Sequence, residues 1–121
     1  MLLVEDNGDA RTMLAEAFTE LAYQVVPAES AEEALDLLAR EPVDVIVADI
    51  GLPGMDGYEF LHRARQLRMP TEPLALAVTG YGQEGDVRKA RDAGYVEHFV
   101  KPVDVEAIDQ RIRSCVRPSQ P

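Results

Sequence analysis

Tryptophan is absent, cysteine occurs once, and aromatic residues make up only 6% of the 121-residue chain. A single thiol, Cys115, cannot close a disulfide within the chain, so a disulfide scaffold is excluded and no oxidising compartment is implied. A structural zinc site is excluded as well, because His62 and His98 have no ligand spacing and only one cysteine is available. No apolar run approaches the roughly 20 residues that a membrane-spanning helix needs. The opening run Met1 to Val4 passes straight into Glu5-Asp6 and is too short for a signal peptide. A cytoplasmic setting without membrane contact is the expectation. Basic residues are scarce too: 12 Lys and Arg stand against 22 Asp and Glu, a formal net charge of −10. So acidic a surface repels nucleic-acid phosphates, though not a divalent cation or a basic partner face.

What is present is a strict alternation. Short apolar runs occur at Leu2 to Val4, Tyr23 to Val26, Val43 to Ala48, Leu74 to Val78 and Tyr95 to Val100. Their length and β-branched content predict buried strands. The run Val43 to Ala48 is almost unbroken, as a central parallel strand should be.

Between these runs the apolar residues recur at helical spacing. Ala10, Leu14, Ala17, Phe18 and Leu21 share one helix face. A second helix starts with a Ser30/Glu33 capping box and stops at Pro42. Phe60, Leu61, Ala64 and Leu67 mark a third helix, and Gln83 to Ala93 a weak fourth. A fifth follows the N-cap Asp104, with Val105, Ile108, Ile112 and either Cys115 or Val116 on its apolar face; Cys115 is read there as a small hydrophobe.

Five β-α units predict an α/β fold with helices on both faces of a parallel sheet. The common solution for five strands is the flavodoxin-like, doubly wound order 2-1-3-4-5, a three-layer sandwich. Residues 1–116 then form one domain, and 117–121 a tail or the start of a linker.

Ligands of such sheets bind beyond the carboxyl ends of the strands. Glu5 and Asp6 follow the first strand, Asp49 the third, Thr79-Gly80 the fourth and Lys101-Pro102 the fifth. The far-edge second strand ends in Pro27-Ala28 and offers nothing. Converging carboxylates repel one another unless positive charge offsets them. Lys101 supplies one such charge, and Mg²⁺, which keeps several waters and binds phosphate oxygens, suits the rest. The set reads as phosphoryl-transfer machinery, with Asp49 as the nucleophile and Lys101 and the metal neutralising charge. Neither G-x-x-x-x-G-K-[ST] nor G-x-G-x-x-G occurs, so the donor is expected to be another protein's phosphorylated residue or a small acyl phosphate.

At Val4-Glu5-Asp6-Asn7, the stretch Asp49 to Gly57, Val78-Thr79-Gly80 and Val100-Lys101-Pro102, the chain resembles the response-regulator receiver family of two-component signalling. Each stretch is weak alone; four in order, each after its own strand, are specific. The resemblance implies phosphorylation of Asp49 by a histidine kinase or a histidine phosphotransfer domain. It implies direct Mg²⁺ ligation by Asp6 and Asp49, by Glu5 through water, and by the backbone carbonyl of Gly51. Thr79 and Lys101 would contact the phosphoryl group, and the Lys101-Pro102 bond would be cis. Switching would run through Thr79 to an aromatic on the fifth strand and alter the face of the fourth helix, fifth strand and fifth helix. A homodimer through that face is a further expectation. Here His98 stands at the usual aromatic's place, beside Phe99, which departs from the family pattern. His98, Gly80-Tyr81-Gly82 and the residues around Lys101 resemble receivers attached to hybrid sensor histidine kinases.

Bland readings stand beside these. Asp49 alone could be a turn residue before Gly51 and Pro53, and Thr79 a helix N-cap. Lys101 alone could be a surface lysine, and His98 could simply pack locally. Tyr81, near the site mouth, either shields the phosphoryl group or is a plain loop aromatic. An aspartate-nucleophile phosphohydrolase of the haloacid-dehalogenase kind wants a second acid two residues on, where Gly51 stands. A flavin-binding domain conflicts with the acids, which would repel the flavin phosphate.

Overall fold

The computed structural model describes residues 1–67, 69–80 and 84–115, the first three of the last span by backbone alone. The elements alternate as β1 (Leu2–Val4), α1 (Gly8–Glu20), β2 (Val26–Ala28), α2 (Ala31–Arg40), β3 (Val45–Asp49) and α3 (Gly57–Ala64). They continue as β4 (Leu74–Thr79), α4 (Glu84–Ala93), β5 (Glu97–Val100) and α5 (Val105–Cys115). All strand pairs are parallel, in the order β2-β1-β3-β4-β5. This is the doubly wound flavodoxin-like sheet expected from the alternation.

The pleat sorts the core into two layers, because successive strand residues face opposite sides. Leu2, Val4, Ile46, Ala48, Ala75 and Ala77 pack with Ala34, Leu38, Phe60 and Ala90 of α2, α3 and α4. Leu3, Val45, Val47, Leu76 and Val78 pack with Leu14, Phe18, Ile108 and Ile112 of α1 and α5. The β1, β3 and β4 residues in these two sets are buried on both faces, so these strands read as continuous apolar runs.

Side-chain caps set the helix starts. Asn7 accepts from the Ala10 N–H at 2.9 Å, Ser30 from Glu33 at 3.1 Å, and Asp56 from Glu59 at 2.9 Å. Asp104 accepts from the N–H groups of Glu106 and Ala107 at 3.0 and 3.3 Å. In the second helix the Glu33 carboxylate takes the Glu29 N–H at 2.8 Å, one residue before the cap.

Three expectations shift. β2 lies at Val26–Ala28 and includes Pro27 rather than ending before it. The edge position allows this, since Pro27 has a strand partner on one side only, Leu3. β5 starts at Glu97, because Tyr95 is drawn instead into the layer under α3 and α4. Cys115 is exposed, its Sγ 2.7 Å from the Arg111 guanidinium, and is not a core residue. The expected tail, 117–121, lies outside the described residues.

Candidate functional site

Glu5, Asp49 and Lys101 continue one face of the sheet. Leu3 and Glu5, Val47 and Asp49, and Phe99 and Lys101 are each two residues apart, so the pleat sends each pair to the α1/α5 side. With β1, β3 and β5 ending at one edge, their terminal polar residues meet there. Lys101 Nζ lies 2.8 Å from Asp49 Oδ2 and 3.4 Å from Glu5 Oε1. Asp6 completes the group: ligand oxygens of Glu5, Asp6 and Asp49 all lie within 4.8 Å of one another. Glu5 and Asp49 are buried, Asp6 is exposed, and Lys101 reaches in from the rim with 38% of its side chain accessible.

Backbone donors hold the carboxylates. Gly51 N–H donates to Asp49 Oδ1 at 2.9 Å, and Asn7 N–H to Glu5 Oε2 at 3.1 Å. A Cβ at Gly51 would lie 3.7 Å from Asp49 Oδ1, so position 51 borders the reactive carboxylate. The loop from Asp49 is pinned at its far end by Gly57, whose N–H donates to Ile50 O at 3.0 Å. A side chain at Gly57 would strike Ile50 Cα at 2.7 Å and Asp49 O at 2.8 Å. Gly54 (φ 76°) takes the left-handed turn between them.

Thr79 is buried at the end of β4, next to the site strand, and its carbonyl accepts the Lys101 N–H at 2.8 Å. The Lys101-Pro102 peptide is cis, as expected.

Charge at this edge is unbalanced. Burial pushes the Glu5 carboxyl above its ordinary value; the Asn7 N–H opposes this, the Asp49 charge adds to it, and Lys101 only partly relieves it. Burial pulls Lys101 down, but its bonds and attraction to Asp49 and then Glu5 outweigh that and raise it overall. Among the described residues the Lys101 ammonium pairs with Asp49 and Glu5, Asp6 adds a third carboxylate beside them, and all three offer oxygen donors. That donor set fits a hard divalent cation, which favours carboxylate oxygens and would offset the remaining charge.

The family model described as "Response regulator receiver domain" matches residues 1–113. The chain belongs to the response regulator receiver family. Sporulation initiation phosphotransferase F of Bacillus subtilis is 30% identical over 93% of this receiver and 90% of its own length. Transcriptional regulatory protein AfsQ1 of Streptomyces coelicolor is 37% identical over 97% of this receiver, which spans 51% of that protein. Sensor histidine kinase RcsC of Escherichia coli is 30% identical, the receiver spanning 12% of it. Among solved structures, Vibrio cholerae chemotaxis protein CheY4 superposes with a TM-score of 0.87 at 25% identity, covering 93% of this receiver and 94% of that chain. Receivers of two-component systems take phosphoryl groups from histidine kinases or phosphotransfer proteins and bind a divalent metal at their acidic cluster. The cluster Glu5, Asp6 and Asp49 fits that phosphoacceptor site.

The other residues singled out in the sequence separate. His98 lines a cavity of about 410 Å³ between α4, β5 and α5, with Arg91, Tyr95 and Arg111, and its Nε2 is buried without a hydrogen-bond partner among the described residues. Phe99 projects to the other side of the sheet and packs on the α1/α5 layer. Tyr81 lies outside the described residues. Tyr95 was legible only as the start of the fifth strand; no local pattern marked its hydroxyl, which donates to Gly57 O at 2.7 Å.

Proposed function

We propose that Asp49 is the residue phosphorylated in this receiver, taking the group from a phosphohistidine of a histidine kinase or histidine phosphotransfer domain. The observation that carries this is the Lys101 ammonium bonded to the Asp49 carboxylate beside Glu5 and Asp6, at the carboxyl edge of the sheet. An Asp49 carboxylate oxygen attacks phosphorus as the P–N bond breaks, and the electron pair leaves with the imidazole nitrogen. Mg²⁺ is the proposed metal and supplies charge neutralisation on the phosphoryl oxygens. Asp6, Asp49 and the Gly51 carbonyl would hold it directly, and Glu5 through water. Lys101 follows the developing negative charge from carboxylate to phosphoryl oxygen, and the Thr79 hydroxyl donates to another.

His98 and Thr79 are the proposed switch. His98 stands on the α4 side of β5, its buried Nε2 without a hydrogen-bond partner among the described residues, and a shift of Thr79 toward phosphate would let it reorient. Phe99 would anchor the strand on the opposite face. Both a standalone receiver, as the near full-length similarity to sporulation initiation phosphotransferase F supports, and the receiver of a hybrid histidine kinase, as the similarity to RcsC supports, fit a cytoplasmic module that turns over no external substrate.

Incubation with acetyl phosphate and Mg²⁺, followed by intact mass, tests the assignment. One phosphoryl adduct is expected on the wild type and none on Asp49→Asn or Asp49→Ala. Undiminished uptake in both variants would refute it.

A further inference from the structure

Tyr95 is 3% exposed, and no step proposed above uses it. Its ring fills the layer between α3 and α4, and its hydroxyl donates to Gly57 O at 2.7 Å, a link between residues 38 apart in sequence. Gly57 is the residue against which the start of the loop rests. Its N–H holds Ile50 O at 3.0 Å, and its Cα sits so close that an added carbon would meet Asp49 O and Ile50 Cα within 3 Å. The segment between them carries Asp49 and Gly51, the donor to the Asp49 carboxylate.

The other end of the link is equally constrained. The Tyr95 N–H bonds the Ala90 carbonyl of α4 at 2.9 Å, and the preceding Gly94 takes a left-handed φ of 117°. The Arg65 guanidinium lies against Gly94 and donates to its carbonyl at 3.2 Å, which clamps the turn that delivers the phenol. Burial, followed by the charges of Asp56, Tyr58 and Asp49, holds the phenol far above its ordinary value, which favours the protonated donor form.

We propose that Tyr95 is a positioning residue for the phosphoacceptor: by gripping the Gly57 carbonyl it fixes the loop that aims Asp49 and Gly51, and it ties that loop to the α4–β5 turn. The inference rests on the reading of Asp49 as phosphoacceptor. A loop loosened at Gly57 lets the Gly51 N–H and the Asp49 carboxylate drift from attack geometry, which lowers the rate of the chemical step while donor binding persists.

The test compares wild type with Tyr95→Phe, which keeps the ring and removes only the hydroxyl. Phosphorylation by acetyl phosphate is followed at saturating Mg²⁺, well below the melting temperature. The expected result is a maximal rate constant lower by about fivefold, the factor corresponding to one lost hydrogen bond. The half-saturating donor concentration should stay unchanged, and the Gly51 amide should shift in ¹H–¹⁵N spectra. A variant that melts lower but phosphorylates at the wild-type rate with an unmoved Gly51 amide would reduce Tyr95 to a packing residue and overturn the proposal. Wild type that takes up no phosphate would overturn the Asp49 reading and this inference with it, so the two failures are distinct. Should Tyr95→Phe not fold, 3-fluorotyrosine at position 95, a stronger donor, should move the Gly51 amide in register with its bond to Gly57. An unmoved amide there overturns the proposal equally.

Discussion

Lys101→Met should destabilise the metal-free receiver, and saturating Mg²⁺ should erase the difference. The substitution keeps the aliphatic stem and removes the ammonium that lies 2.8 Å from Asp49 and 3.4 Å from Glu5. Those carboxylates expose only 7% and 3% of their side chains, so each loses its nearby positive charge with little water to replace it. Breaking a fully buried pair costs about 3–5 kcal/mol. Lys101 is 38% exposed and screened on that side, which reduces the expectation to about 1–2 kcal/mol. The more negative site then binds Mg²⁺ about tenfold more tightly for each 1.4 kcal/mol so released. Urea unfolding of both proteins, in EDTA and in Mg²⁺ far above its dissociation constant, measures this directly. The gap should be present in EDTA and close in Mg²⁺. Equal stabilities in EDTA, or a gap untouched by Mg²⁺, would show that the lysine does not offset these acids.

Three further outcomes follow from the same geometry. Glu5→Gln should stabilise the metal-free protein at pH 7. A carboxyl raised on folding favours the fold below its ordinary 4.5 and loses that contribution as pH rises through the folded value; glutamine removes the loss and weakens Mg²⁺ binding, measurable by calorimetry. Tyr23, held up to about 12 by burial and then by its bond to Asp109, should ionise late in an absorbance titration. Its contribution to stability is complete below pH 10 and disappears as pH rises through 12, and Tyr23→Phe should flatten that decline. Gly51 places no side chain beside Asp49, so no amide positions water there, and the acyl phosphate should persist for minutes or longer. Gly51→Gln should shorten that lifetime severalfold in a mass-based decay assay; a wild-type half-life of seconds without a phosphatase would contradict the argument.

Much of this protein is legible in its amino-acid order, for a definite reason. Strand-helix alternation and unbroken apolar runs such as Val45 to Ala48 dictate a parallel sheet, and a parallel sheet forces strand-end residues to one edge. The pleat does the rest. Glu5, Asp49 and Lys101 each stand two residues beyond a core residue of the α1/α5 layer, so their convergence is written in the spacing. Caps at Ser30 and Asp104 are short-range and equally legible.

What tertiary structure alone decided are the contacts between residues remote in the chain. Pro27 joins β2 only because that strand is an edge, a property of the assembled sheet. Cys115 has helical spacing toward the core, yet it turns outward at the last turn of α5 beside Arg111. His98 and Phe99 look interchangeable in a string of letters, but the sheet sends one toward α4 and the other toward α5. The bond from Tyr95 to Gly57 depends on α3 and α4 packing side by side, and a donor and acceptor 38 residues apart leave no local pattern to read. Periodicity reports which way a residue faces; only the packed chain determines what it faces.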